Sequence, residues 1–231
     1  MAQDLKIEIR NLFALHEATI RLEHGCKEAG CIEDGWRVFL PTRFIYAFFT
    51  FNGIYGFDWQ SSFDSRKAIR WQPDEDGKLP KEKTQFKNYL RYVNDKLSPE
   101  TPTFFSDKLK DMLRSFRIAE PATVIEHIDL VNASNELIEL GKQFPKQFSI
   151  VLEGKQKPED FYPSACLLLK FVYKVRCNLF HGEKTRVQLL HLEQQQRLLI
   201  YTALLIAANS LLFRVAEKAD IGWEKPSVQF R

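Results

Sequence analysis

The sequence has no long hydrophobic run. The apolar stretch Ala203–Ala208 is six residues long and none exceeds it, far below the ~20 residues a membrane span requires. The first residues, Met1-Ala2-Gln3-Asp4-Leu5-Lys6, lack an apolar signal core, so no secretory leader is expected. Cysteine is scarce. Four in 231 residues read as reduced thiols rather than a disulfide framework. Together these absences lead us to expect a cytoplasmic protein with no membrane partner. Neither a Gly-rich phosphate loop nor a paired-carboxylate signature occurs. The constellation of His16, His24, Cys26 and Cys31 does not amount to four convincing zinc ligands. No metal and no cofactor are therefore expected.

Charge of one sign is also nearly absent overall: 33 basic against 30 acidic residues leave +3, too little to diagnose a polyanion partner. Its distribution says more. Between Lys142 and Arg186 nine basic residues face four acidic ones, a local excess of +5. A polyanion suits that stretch, although a solvated surface is the ordinary reading of such a run.

What is present is a globular composition, 45% hydrophobic with 19 phenylalanines, patterned almost entirely for helices. Leu5–Ile9 alternates like a short strand and is followed by a helical pattern over Asn11–Glu23. Pro41–Tyr55 is aromatic on most sides and predicts a buried helix. Trp59 and Trp71 are the aromatics best placed to stay outside the core, and Arg43, Arg66, Lys67 and Arg70 interleave with this band. The polar loop Gln72–Lys81 divides the chain. Helices are expected over Lys83–Leu97 and from Ser106 to about Phe116. A long one starting at Pro121 should close at Gly141, and Phe144–Pro158 reads as a connector. Two further helices run from Pro163 to about Phe180 and from Val187 to about Lys218. The domain reading is a mainly helical N-terminal extension over 1–80, a helical domain over 81–222 and a tail over 223–231. The last helix is apolar on most sides between Leu198 and Phe213. Full burial or a homodimer interface would each account for that.

The helix from Pro163 to Phe180 carries the strongest functional signal. At about 100° per residue, Lys170, Lys174, Asn178 and His181 share one polar stripe. Leu168, Leu169, Val172, Val175, Leu179 and Phe180 form the opposite apolar arc, and Arg176 falls inside that arc. An arginine there stays charged and is costly to bury unpaired. It is kept either by an acid on a neighbouring helix, such as Glu126, Glu136 or Glu193, or for a phosphate at the floor of a cleft. His181 follows five residues later and precedes Gly182, a residue type that commonly ends helices. A histidine at such an end can turn toward Arg176. It supplies a proton-transfer group that titrates near neutrality beside a permanent cation. Cys166 and Cys177 share a helix side too far apart along the axis for a disulfide and are expected to be packed thiols.

The segment Phe171-Val-Tyr-Lys-Val-Arg-Cys-Asn-Leu-Phe-His-Gly-Glu-Lys184 resembles the signature of HEPN domains, an Arg, four to six residues, then His, often followed by Gly. The resemblance implies an all-α fold, a HEPN-like helical bundle here carrying additional N-terminal helices. It also implies a homodimer that brings two motifs into one cleft. The implied activity is metal-independent endoribonuclease cleavage leaving 2′,3′-cyclic phosphate, in a toxin–antitoxin or phage-defence setting. Arg176 would stabilise the phosphorane, His181 would move protons and Asn178 would orient them. Lys170, Lys174, Lys184 and Arg186 would contact the RNA backbone, with an antitoxin or inhibitor protein as a further partner. Cys177 stands where members often have a polar residue. Glu183 stands where a subgroup modified by a nucleotidyltransferase antitoxin has Tyr. Some members have lost catalysis and serve as nucleotide-binding, RNA-binding or scaffold modules, which is the alternative reading.

Overall fold

The computed structural model describes residues 3–28, 40–126, 128, 134–180 and 191–221. Helices dominate: nine occur among the described residues, with one two-residue strand pair. The chain is all-α in class. In chain order the elements are β1 (Gln3–Asp4), α1 (Leu5–Glu28), α2 (Leu40–Tyr55), α3 (Trp59–Ser65) and β2 (Lys67–Ala68). They continue with α4 (Glu82–Leu97), α5 (Thr101–Ser115), α6 (Pro121–Glu126), α7 (Asn135–Glu153), α8 (Pro158–Phe180) and α9 (Leu192–Lys218). Strand β1 lies antiparallel to β2, with Gln3 opposite Ala68 and Asp4 opposite Lys67.

Helix α9 is the axis of the molecule. It packs against α1, α2, α4, α5, α6 and α8, and every residue from Arg197 to Phe213 is buried. Of the two accounts of its apolar circumference, full burial within one chain is the one observed. It is long and apolar enough to cross a membrane, yet 94% of the relevant window is buried inside the protein, as befits a core helix. Three of its buried polar side chains donate to backbone carbonyls. Thr202 donates to the Leu198 carbonyl at 2.7 Å and Ser210 to that of Ile206 at 2.9 Å. Asn209 reaches the Ala47 carbonyl of α2 at 3.3 Å, and the Tyr89 hydroxyl of α4 donates to the Ala208 carbonyl at 2.6 Å. Buried residues on both sides of the Gln72–Lys81 loop, from Leu5 to Ala216, belong to one hydrophobic cluster.

Several local expectations are corrected. Leu5–Ile9 is helical, because Leu5, Ile9, Leu12, Phe13 and His16 form a buried stripe of helical spacing while Ile7 points outward. The helix expected to run from Pro121 to Gly141 is instead two. Helix α6 ends at Glu126, and α7 begins after Ser134, whose hydroxyl accepts from the Leu137 N–H at 3.3 Å. Helix α7 then continues through Gly141 and Pro145, absorbing the supposed connector. Its buried stripe Leu137, Leu140, Phe144, Phe148 and Val151 outweighs the hydrogen bond that Pro145 forfeits. It stops at Gly154, which adopts φ +71 with Ser106 packed against its Cα. Helix α5 starts at Thr101 with a proline in its first turn, and α8 at Pro158, each earlier than the sequence pattern indicates.

Trp59 is core rather than an exception, 2% exposed with its indole N–H on the Ile54 carbonyl at 2.7 Å. Arg43 is likewise buried, donating to the Thr19 and Ile20 carbonyls of α1 and lying 4.5 Å from the Phe116 ring centre.

His16 is buried at the α1–α9 contact, beside the mutually packed rings of Phe13 and Phe213, with Ser210 Oγ 3.4 Å from Nε2. Burial first, and then the charge of Lys108, push its pKa down to about 3. The folded chain therefore holds this ring neutral while the unfolded chain protonates it near pH 6.5. Stability from this group is complete above pH 6.5 and is lost as the pH falls toward 3. At ~1.4 kcal/mol per pH unit, about 2–3 kcal/mol should be gone by pH 4.5. Urea unfolding at pH 7 and pH 4.5 should show that loss in the native chain and a much flatter dependence in His16→Gln.

Candidate functional site

The apolar arc read from the α8 sequence is buried only as far as Val172, and Val175 and Leu179 are half-buried like the polar residues around them. Leu168, Leu169, Phe171 and Val172 are buried, and from Tyr173 to Leu179 the helix is half-buried. Lys170 and Lys174, one turn apart, both reach a single carboxylate, Glu136 in the first turn of α7. Lys170 Nζ lies 3.1 Å from Glu136 Oε1 and Lys174 Nζ 2.6 Å from Oε2. Lys83, from the start of α4, is third at 2.8 Å from Oε1. Hydrogen bonds from Lys174 and then Lys83 hold the Glu136 carboxyl at a pKa of about 2, well below the usual carboxylate range. Beside this cluster the Tyr173 hydroxyl donates to Glu82 Oε2 at 2.5 Å.

Arg176 turns the other way along α8, toward α2. Its guanidinium carbon sits 5.0 Å from the centre of the Phe48 ring, a cation–π distance, and the Phe48 ring is 6.1 Å from that of Tyr173. The side chain is half-buried. Close by, Tyr55 is 1% exposed and its hydroxyl is buried without a hydrogen-bond partner. Burial, then the charge of Glu82, raises the Tyr55 phenol above its ordinary range, while Arg176 opposes that rise. The C-terminal part of α8 therefore carries a fixed cation resting on an aromatic wall. Glu136 accepts from the three lysines, and Glu193 pairs with Arg197 at 3.2 Å.

Asn178 is half-buried near the end of α8. Cys166 is buried and Cys177 half-buried, and both are free thiols; burial pushes the Cys166 thiol up to about 11. His181, Lys184 and Arg186 lie outside the described residues, as do Cys31 and the side chains of His24 and Cys26. The structure thus places Arg176, Asn178, Lys170 and Lys174 on one helix and joins the two lysines through Glu136. Sequence reasoning missed Lys83, Glu82 and the wall residues Phe48 and Tyr55 as neighbours of this helix. Their only signal was membership of amphipathic helices elsewhere in the chain, which gives no pairing.

Comparison with protein-family models, curated proteins and solved structures yields no match for this chain.

Proposed function

We propose that this protein is a metal-independent endoribonuclease of the HEPN kind, acting in the cytoplasm as a homodimer within a toxin–antitoxin or phage-defence system. The observation that carries the reading is Arg176. It is a permanent cation, half-buried against Phe48, on the helix that leads directly into the His181-Gly182 sequence. In the proposed reaction the 2′-oxygen of a ribose attacks the adjacent phosphorus. A P–O bond forms to the 2′-oxygen and the bond to the 5′-oxygen of the next nucleotide breaks. His181 takes the 2′-hydroxyl proton or delivers one to the leaving 5′-oxygen, and the second copy's motif supplies the complementary transfer. Arg176 stabilises the charge that gathers on the five-coordinate phosphorus. Asn178 positions the imidazole or the phosphate. Lys170, Lys174, Lys184 and Arg186 meet neighbouring phosphates, and an antitoxin or inhibitor protein restrains the activity.

One specific observation favours a second reading, a catalytically silent RNA-binding or scaffold module. Two of the lysines assigned to the RNA backbone are already engaged by Glu136. Incubating the purified chain with single-stranded RNA in excess EDTA separates the two. The nuclease reading expects chelator-resistant cleavage that disappears in Arg176→Ala and in His181→Ala. Binding without cleavage establishes the silent module instead.

A further inference from the structure

The lysine cluster on Glu136 is unbalanced in charge. Three ammonium groups converge on one carboxylate from two helices, at 2.6 to 3.1 Å, leaving a surplus of two positive charges. Each ammonium has three N–H donors and spends one here, so donors remain. The cluster is also within reach of solvent, with the lysine side chains 24–39% exposed and Glu136 35% exposed. At that exposure salt and a competing anion both reach the cluster. A carboxylate and a phosphodiester present the same feature to a lysine, a pair of anionic oxygens.

We propose that Lys83, Lys170 and Lys174 form a cradle for an RNA backbone phosphate, and that Glu136 occupies and closes this cradle until a phosphate displaces it. This rests on the reading of α8 as the RNA-binding element. It adds Lys83 to the binding surface and gives Glu136 a restraining role. Glu136 belongs to α7 and the cradle to α4 and α8, so opening requires only that one side chain swing away. Lys174 is two residues before Arg176. Two residues apart on a helix means nearly opposite sides, so the cradle is an RNA-backbone contact separate from the face that presents the cation.

The test measures binding of the full chain to a fully 2′-O-methylated single-stranded RNA, which cannot be cut through its 2′-oxygen, by fluorescence anisotropy across a salt series. Glu136→Gln keeps the side-chain size and removes the charge. It should bind about tenfold more tightly at low salt. Its plot of log affinity against log salt should steepen by about 0.7, the increment for one more phosphate contact on a single strand. Lys174→Gln added to that variant should cancel both gains. Unchanged affinity and slope in folded Glu136→Gln overturns the proposal. If Glu136→Gln does not fold, Lys174→Gln alone decides, with a shallower slope supporting the cradle and an unchanged one refuting it. Inorganic pyrophosphate supplies a further arm. Should it displace RNA from Glu136→Gln as strongly as unlabelled RNA of the same length, the cradle serves small phosphates and the RNA assignment falls. The two readings fail separately. Tighter binding with no cleavage of unmodified RNA removes the nuclease and leaves the gate, whereas cleavage with unaltered binding does the reverse.

Discussion

Arg176→Ala should lower the single-turnover rate of RNA cleavage by about 10²–10³-fold, the usual cost of losing one preorganised stabiliser of developing negative charge. A catalytic role also requires that the same substitution leave the chain folded. The guanidinium is half-buried and rests on Phe48 at 5.0 Å, a contact worth about 1 kcal/mol at partial exposure. A structural cation gives the opposite pattern, because removing one partner of a buried ion pair costs about 3–5 kcal/mol. Arg176→Lys sharpens the distinction. It keeps the charge but loses the planar fork that meets two phosphate oxygens at once, so stability should recover while most of the rate does not. Rates in EDTA and urea unfolding on the same preparations provide both readouts.

Phe144→Ala should cost about 3–5 kcal/mol, as large-to-small substitutions of buried aromatics do. Phe144 is fully buried and joins three helices. Its ring stacks on Phe148 of α7 at 6.0 Å, lies 4.6 Å from Phe171 of α8 and meets Tyr201 of α9 edge-on at 5.7 Å. Few small adjustments can refill a space bounded by three packed helices. For a chain of this size the loss corresponds to roughly 6–20 °C in Tm. Phe144→Leu, which keeps most of the volume, should cost less than about 1.5 kcal/mol. Differential scanning calorimetry on both variants checks the ratio as well as the magnitude. The site is affected as well, since Phe171 lies on the same helix as Lys170, Lys174 and Arg176, and the alanine variant should lose RNA binding near its melting range before it unfolds completely.

The elements read correctly from sequence are those whose apolar residues repeat on one helical face without a competing local signal. Helix α4, with Phe86, Tyr89, Leu90, Val93 and Leu97 buried, is the clearest. Errors arose where local chemistry and tertiary burial disagree. Gly141 and Pro145 signal a stop, yet Phe144 and Phe148 are worth more inside the core than the helix loses at the proline. Leu5–Ile9 alternates over too few residues to separate period two from period 3.6, and the buried Leu12, Phe13 and His16 decide it. Arg43 only interleaves with the aromatic band in a linear reading, and in the fold two carbonyls of α1 claim it.

The same division applies to the site. Lys170, Lys174, Arg176 and Asn178 lie on one helix, and 3.6-residue periodicity sorts them into faces. Lys83, Glu136, Phe48 and Tyr55 come from three other helices, whose mutual placement is set by packing around α9. No local pattern in the sequence encodes that placement.

The chemistry of the newly formed 3′ ends tests the central claim most directly. RNA cut by the native chain in EDTA should carry 2′,3′-cyclic phosphate by mass spectrometry, with 5′-hydroxyl on the partner fragment. Ends bearing 3′-hydroxyl and 5′-phosphate would mean that water, not the neighbouring ribose, attacks phosphorus, and the roles given to Arg176 and His181 would then be wrong.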